Sequence, residues 1–423
     1  MALYYNPAGI GFAKGSQLGL YGTLVLRHAS WDHAEPANDP TPDPADAKGA
    51  NTGTASLTNV FGGPALGGTL RVGNILTLGA GFFAPFGGSS HWGKNDEFSG
   101  STKYPLAAGG VQRWFAIDGL VRVLYFTAGA ALRLGPLSIG ATGNFISSTI
   151  DTTQAKQPGG ANLPITTMEG RAFLDAHAFN GSIGAGVMLE AVPDQLWIGA
   201  SYQSQPGFGQ QKLTGQFNVT SLSFGNLPDK QIDFLQTLPD IWRGGVRWKP
   251  KNAPLEFRVF GDRTNWSKFT SQCVVLQGNP CNIGGDGTEA GGTTNVQAYL
   301  RRDWVDTYGG RLGISWWVVP EVEMLFGGGY ETAATPDSTL APDLFDANNF
   351  QATLGARFRL TESLFLTASY THIQYLTRDN TNKSTLAVFA NGQPVGYPTV
   401  EEDSGGVYKQ WIGFMTGNLE GIF

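Results

Sequence analysis

The chain has 423 residues, of which 59 are glycine, 15% are charged and 12% are aromatic, and its formal net charge is -6. A charged fraction so far below the roughly 25% of ordinary globular proteins argues against a string of soluble domains, and the acidic balance argues against a nucleic-acid partner, which needs a concentrated basic face. A mean hydropathy of -0.13, with no run of about 18 uninterrupted apolar residues, excludes a bundle of membrane helices.

Taken from the N-terminus, Met1 is followed almost at once by Tyr4-Tyr5-Asn6-Pro7, with no basic stretch and no apolar run. An exported chain would therefore have lost its signal peptide. From Gln17 onward, period-two alternation is the commonest pattern. Leu18, Leu20, Gly22, Leu24 and Leu26 share one face, against Gln17, Gly19, Tyr21, Thr23 and Arg27. A helix would mix these sets and a strand separates them. Similar runs predict strands at 17–27, 62–72, 75–86, 117–134, 137–150, 178–192, 196–204, 240–250, 255–268, 304–318, 321–332, 350–360, 364–375 and 406–423. The total is about 14, an even number, as a closed antiparallel barrel requires.

Connections between these runs alternate in length. Tight turns fall at 72–75, Gly135-Pro136, Pro193-Asp194-Gln195, Lys251-Asn252-Ala253 and Thr361-Glu362-Ser363. Long polar stretches fall at 28–60, 87–113, 151–176, 205–238, 270–303, 333–348 and 377–405. A secreted β-sandwich or β-helix is the competing all-β reading. It has no reason to sort short and long loops to opposite ends, whereas a transmembrane barrel does. The expected class is therefore an all-β transmembrane antiparallel barrel in the Gram-negative outer membrane. The acidic clusters at Asp32 to Asp46 and Glu401 to Asp403 are read as solvated loops.

Cys273 and Cys281 lie in a Gly/Asn/Thr-rich stretch. In an oxidising compartment they could close a small loop as a disulfide, the alternative being free thiols. Nothing accompanies them at zinc-ligand spacing, and no metal or cofactor is expected. His28, His33, His91, His177 and His372 are scattered, without a nucleophile–histidine arrangement, so no enzyme is expected.

Five motifs occur in order: Asn6-Pro7-Ala8-Gly9; Leu78 to Gly87 (LGAGFFAPFG); Gly199-Ala200-Ser201-Tyr202-Gln203-Ser204; Leu238-Pro239-Asp240 with Thr264 to Phe269 (TNWSKF); and Gly329-Tyr330-Glu331 with Thr335-Pro336. Together they resemble the FadL family of outer-membrane importers of long-chain fatty acids and aromatic hydrocarbons. The resemblance implies a hatch segment over residues 1–15, here short, and a barrel over 16–423. It departs from the family at the N-terminus, where only Ala2 to Tyr5 precede Asn-Pro-Ala in place of a longer hatch. It also implies passive, lateral passage of a hydrophobic molecule through a kink in strand three. The expected partners are a hydrophobic small molecule, the surrounding outer-membrane lipid and lipopolysaccharide, and the barrel assembly machinery, with the protein a monomer. A non-transporting adhesin or receptor barrel, or a general pore, is the alternative.

On this reading Asn6, Pro7 and Ala8 form a rigid plug beside strand three, rather than an ordinary turn. Gly79, Gly81 and Pro85 would permit the kink, since proline removes a ladder donor and strand glycine marks a bulge or a close approach. Phe83, Phe86, Trp92, Phe98, Phe173 and Leu174 are expected along the ligand path, or else in the interfacial aromatic girdle. Arg243, Arg247, Glu256, Arg258, Asp262, Arg311, Arg357 and Arg359 fall on the lumenal face. Arg171, Arg247 or Arg311 could anchor a carboxylate, or could belong to a structural ion-pair ladder.

Overall fold

A computed structural model of the protein describes residues 2–33, 43–156, 169–221, 225–284, 288–292, 294–386, 389–390, 393–394 and 403–423. Fourteen of its strands close a barrel. They are β1 (Gln17–His33), β2 (Gly53–Val72), β3 (Leu76–His91), β4 (Asp118–Leu134), β5 (Leu137–Lys156), β6 (Gly170–Val192) and β7 (Leu196–Gln203). The wall continues through β8 (Ile241–Trp248), β9 (Leu255–Thr264), β10 (Thr307–Val319), β11 (Val322–Glu331), β12 (Asn349–Arg359), β13 (Leu364–Tyr375) and β14 (Val407–Ile422). Each strand pairs antiparallel with its neighbours in the chain. The ring closes where β1 meets β14, with Gln17 opposite Ile422 and Asp32 opposite Val407. Closure pairs the first wall strand with the last, so the barrel wall is not left with two terminal edges that hydrocarbon could not satisfy.

The alternation decides which face meets lipid. On β1, Leu18 and Leu24 point outward at 55% and 48% exposure, while Arg27 turns in to meet Gln410 of β14. On β12, Phe350 and Leu354 face out and Arg357 faces in. Because the side-chain period is two, a one-residue slip would drive these arginines into lipid, so the register is strongly specified. At one end the strands are joined by tight turns. There Gly73 (φ 66°) and Gly135 (φ 64°) take the left-handed conformation open to glycine.

Two of the expected long loops are not loops. Within 205–238 and 270–303 the chain forms strands Gln210–Ser221, Lys230–Thr237, Ser271–Leu276 and Val296–Arg301. The outer half of β6, Gly170 to His177, turns away from β7 and pairs with Gln210–Ser221, and the other three strands follow in sequence. The barrel wall is thereby extended outward on this side. Alternation did not mark the strands at 230–237 and 271–276 because they are short and buried on both faces: Ile232, Asp233, Phe234 and Leu235 are all buried. Cys273 and Cys281 are joined by a disulfide within this extension. The 28–60 and 151–176 connections are also shorter than expected, since β1, β2, β5 and β6 each run further outward. Glu401 and Glu402, expected in a solvated loop, lie outside the described residues.

Candidate functional site: plug, seam and cavity

Inside the barrel, Ala2–Tyr5 forms a single helical turn and Pro7–Phe12 a 3-10 turn, with Asn6 between them. Asn6 links the two. Its Oδ1 accepts from the Ala8 N–H at 3.0 Å, while its Nδ2 donates to the carbonyls of Val187 on β6 and Ala200 on β7 at 3.1 and 3.2 Å. Pro7 at the first position of the turn lacks only an N–H that a helix start leaves orphaned. Ser138 of β5 donates to the Ala8 carbonyl at 2.7 Å, and Ser201 of β7 donates to that of Tyr5. Arg243 of β8 donates to the Tyr4 carbonyl at 3.3 Å and lies 4.6 Å from the centre of that ring.

Such close approach depends on glycine in the wall. A Cβ on Gly140 would lie 2.5 Å from the Ala8 nitrogen, and one on Gly186 would fall 2.1 Å from Asn6 Oδ1. The Asn-Pro-Ala tripeptide was expected beside strand three. Its hydrogen bonds instead go to β5, β6 and β7, and the residues around it reach β3. Leu3 and Ile10 pack on Gly79, where a Cβ would meet them at 2.9 and 3.3 Å. Tyr4 stacks edge-on against Phe83 with ring centres 5.3 Å apart. Gly81, also facing inward, would meet Leu3 at 3.6 Å.

Immediately above these contacts, β3 changes partners. Its ladder with β2 runs from Val72–Leu76 to Leu66–Phe82 and stops. Its ladder with β4 continues, but the register shifts between Phe83 and Phe86, where β3 has one residue more than its partner. Pro85 sits within that shift and has no N–H to donate. The two strands are joined again higher up. Asn59 of β2 donates to the Ser89 carbonyl at 2.6 Å and accepts from the His91 N–H at 3.3 Å, and a backbone bridge links Leu57 to Trp92. Between Phe82 and Ser89 there is thus a seam in the wall.

A cavity of about 460 Å³ adjoins this seam, within the size range of small-molecule sites. Its wall includes Phe61 on the β2 side and Gly87 to Ser90 on the β3 side. Val25, Val121, Val123, Ile150 and Leu174 line the barrel portion, and Phe217, Phe234 and Val274 line the outward extension. Val123 also packs in the cluster of Phe83, Tyr125 and Tyr4, which connects the cavity wall to the plug. Polar side chains on the wall include Gln154, Gln236, Gln272 and Gln410 besides Arg27, Arg302 and Asp343. Arg302 is ion-paired with Asp343 at 2.5 Å, and Arg27 donates from Nε to Gln410 Oε1 at 2.8 Å.

The opposite half of the lumen is filled by charge. Glu256 accepts from Arg247 at 2.7 Å and from Arg258 at 2.6 Å; Glu323 lies 3.9 Å from both Arg258 and Arg357, and Arg357 reaches Glu420 at 2.9 Å. Arg311 bridges Asp262 and Glu331. These pairs run from β8 round to β14.

Several expected positions therefore need revision. Leu174 lines the cavity, but its neighbour Phe173 is 41% exposed on the outer face, as strand alternation demands. Trp92 is buried with Trp31, Leu57 and Val111, and Phe98 with Ala47, Tyr104 and Ala107. Both therefore consolidate outer loops instead of lining the cavity. The side chain of Phe86 lies outside the described residues. Arg247 and Arg311 are committed to the ladder. Arg171 shares Glu169 with Arg113 and donates to the Leu106 carbonyl at 2.7 Å. Sequence reasoning missed Tyr4, Asn59, Gly140 and Gly186, whose roles depend on partners far away in the chain. It placed Arg27 on the lumenal face without singling it out.

Residues 1–395 match the family model described as outer membrane protein transport protein (OMPP1/FadL/TodX). The chain belongs to this family. Solved structures give the same fold at low identity. A Pseudomonas aeruginosa FadL homologue superposes with a TM-score of 0.77 at 15% identity, covering 100% of this chain and 94% of the other. The Ralstonia pickettii toluene transporter TbuX gives 0.63 at 15% identity, covering 100% and 93%. The P. putida toluene transporter TodX gives 0.65 at 13% identity, covering 100% and 94%. Among curated proteins none matches. As a member of the OMPP1/FadL/TodX family with a closed barrel, the protein is an outer-membrane transport protein of Gram-negative bacteria, not an enzyme.

Proposed function

We propose that the protein takes up hydrophobic small molecules by passive diffusion, and that the ligand leaves the cavity sideways through the seam beside β3. The observation that carries this reading is the position of the cavity. Its wall spans both sides of the seam, from Phe61 to Gly87–Ser90, while the plug and the ion ladder occupy the lumen elsewhere. An apolar solute loses little on entering lipid, whereas passage along the ladder would cost it contact with apolar surface. The toluene transporters among its structural neighbours support a hydrophobic cargo. Asn6, Pro7 and Ala8 hold the plug, Gly79 and Gly81 admit it, and Pro85 keeps the ladder from closing. On this reading the barrel works as a monomer in lipid and lipopolysaccharide, inserted by the assembly machinery.

The test is uptake by reconstituted protein. Vesicles carrying the protein should accumulate radiolabelled toluene or laurate faster than empty vesicles, with no steady conductance to sugars. Swelling in sugar would instead mark a general pore, and no uptake at all would mark a non-transporting barrel.

A further inference from the structure

We infer that the outer wall beside the seam carries a docking site for one phosphorylated glycolipid of the outer leaflet, with its phosphate on Arg122 and its acyl chains on a strip of exposed phenyl rings. The site lies outside the barrel and does not depend on what the cavity holds. On β4, Val123 and Tyr125 are buried within the barrel, while Leu120 and Phe126 are exposed on the outer face. Alternation therefore puts Arg122 outside, where it is exposed. It has no hydrogen bond or ion pair among the described residues. Arg263, an exposed arginine on β9, is by contrast paired with Asp306 at 2.6 Å.

The register fixes the height of this arginine in the membrane. Arg122 stands opposite Thr149 of β5, and Thr149 opposite His177 of β6. One outward row nearer the loops, Asp151 stands opposite Asp175. Toward the other end the same face turns apolar, with Phe126, Phe145 and Phe179 all exposed. The row of Arg122 thus marks the boundary between hydrocarbon and head groups. Because β4 starts at Asp118, just after the long connection from β3, the boundary is that of the outer leaflet. Below it the rings form a strip, with centres 5.1 Å apart from Phe82 to Phe126, 6.3 Å from Phe126 to Phe145 and 5.4 Å from Phe145 to Phe179. Phe82 is the last residue of β3 paired with β2, so the strip begins at the lower end of the seam. Arg122 stands opposite Gly87, one strand away from its upper part. A guanidinium without an anion at the edge of hydrocarbon is matched by a phosphate, which its planar fork binds through two charge-assisted hydrogen bonds. Basic side chains at this level draw anionic lipid head groups. A free phosphate would leave the phenyl strip unused, whereas a lipid engages both and is held at the rim of the seam.

The experiment measures equilibrium binding to folded protein in detergent micelles, using lipid A, lipid A stripped of its phosphates, and inorganic phosphate. Wild-type protein should bind intact lipid A about 10-fold more tightly than the stripped form, the value of a charge-assisted hydrogen bond at a partly solvated site. Arg122→Gln should abolish that preference, Arg122→Lys should keep part of it, and Arg263→Gln should leave it unchanged. Phe145→Ala should weaken both lipids alike, by about 3-fold. Heat-modifiability on gels checks that each variant is folded. No preference in the wild type, a preference that survives Arg122→Gln, or an equal loss in Arg263→Gln overturns the site. Inorganic phosphate binding as tightly as lipid A overturns the lipid as its occupant.

Discussion

The two halves of the lumen are built by opposite means. From β3 to β7 the inner face carries glycine, serine and aromatic side chains, and it binds the plug through backbone carbonyls. From β8 to β14 it carries a relay of arginines and carboxylates. Apart from the contact of Arg243 with Tyr4, the plug is held by neutral hydrogen bonds of about 1 kcal/mol each and by packing, so it can yield. The ladder side contains fully buried carboxylates such as Glu256, and breaking one strands its partners. A transport protein that must open somewhere and stay closed as a barrel has reason to keep these two kinds of wall apart.

The comparison is broken most severely at Glu256. Glu256→Ala removes the anion shared by Arg247 and Arg258. It should lower stability by about 3 kcal/mol, since loss of one partner leaves the other charges uncompensated. Urea unfolding in detergent micelles would measure it, and a shift within error would show that lumenal water already screens the arginines. On the plug side, Gly140→Val should cost about 1–3 kcal/mol through overpacking against Pro7 and Ala8. It should also raise single-channel conductance by displacing the plug, and unchanged conductance would mean that the plug does not limit the opening. Asn6→Ala removes the bonds to Val187 and Ala200 and the cap on Ala8. A loss of about 1–2 kcal/mol is expected, with a smaller rise in conductance.

The smallest effect lies outside both halves, in the β1–β2 loop. Burial by itself would raise the Asp43 carboxyl. The Thr52 hydroxyl and the N–H groups of Asn51 and Gly49 outweigh burial and hold it below its ordinary 3.8. A carboxyl whose folded value is depressed stabilises the fold fully above its unfolded value, and loses that contribution as pH falls through the folded one. Hydrogen exchange at Gly49 and Asn51 should therefore be pH-independent in protection from neutrality to about pH 4, then rise on acidification. Asp43→Asn should loosen the loop already at neutral pH while leaving both lumenal halves intact. Loss of protection beginning well above pH 4 would show that another group controls this loop.

Much of the wall was legible in the sequence. The expected runs at 137–150, 350–360 and 364–375 fall within or nearly on β5, β12 and β13, because each strand meets lipid on one face and writes that contrast into every second residue. The strands at 230–237 and 271–276 left no such trace, since protein covers both of their faces. Inward placement of Arg247, Arg311 and Arg357 was also readable, as charge cannot face lipid. That all three are committed to ion pairs was not, because the partners Glu256, Asp262 and Glu420 lie on other strands.

By itself, then, the sequence determined the barrel, its lipid-facing surface and the order of its motifs, all of which follow from the local alternation of side chains against a fixed solvent. Only the tertiary structure decided where the plug docks, where the β2–β3 ladder stops and how the lumenal arginines are partnered. Those depend on contacts such as Asn6 with Val187 and Ala200, or Arg27 with Gln410, between residues brought together only when the barrel closes.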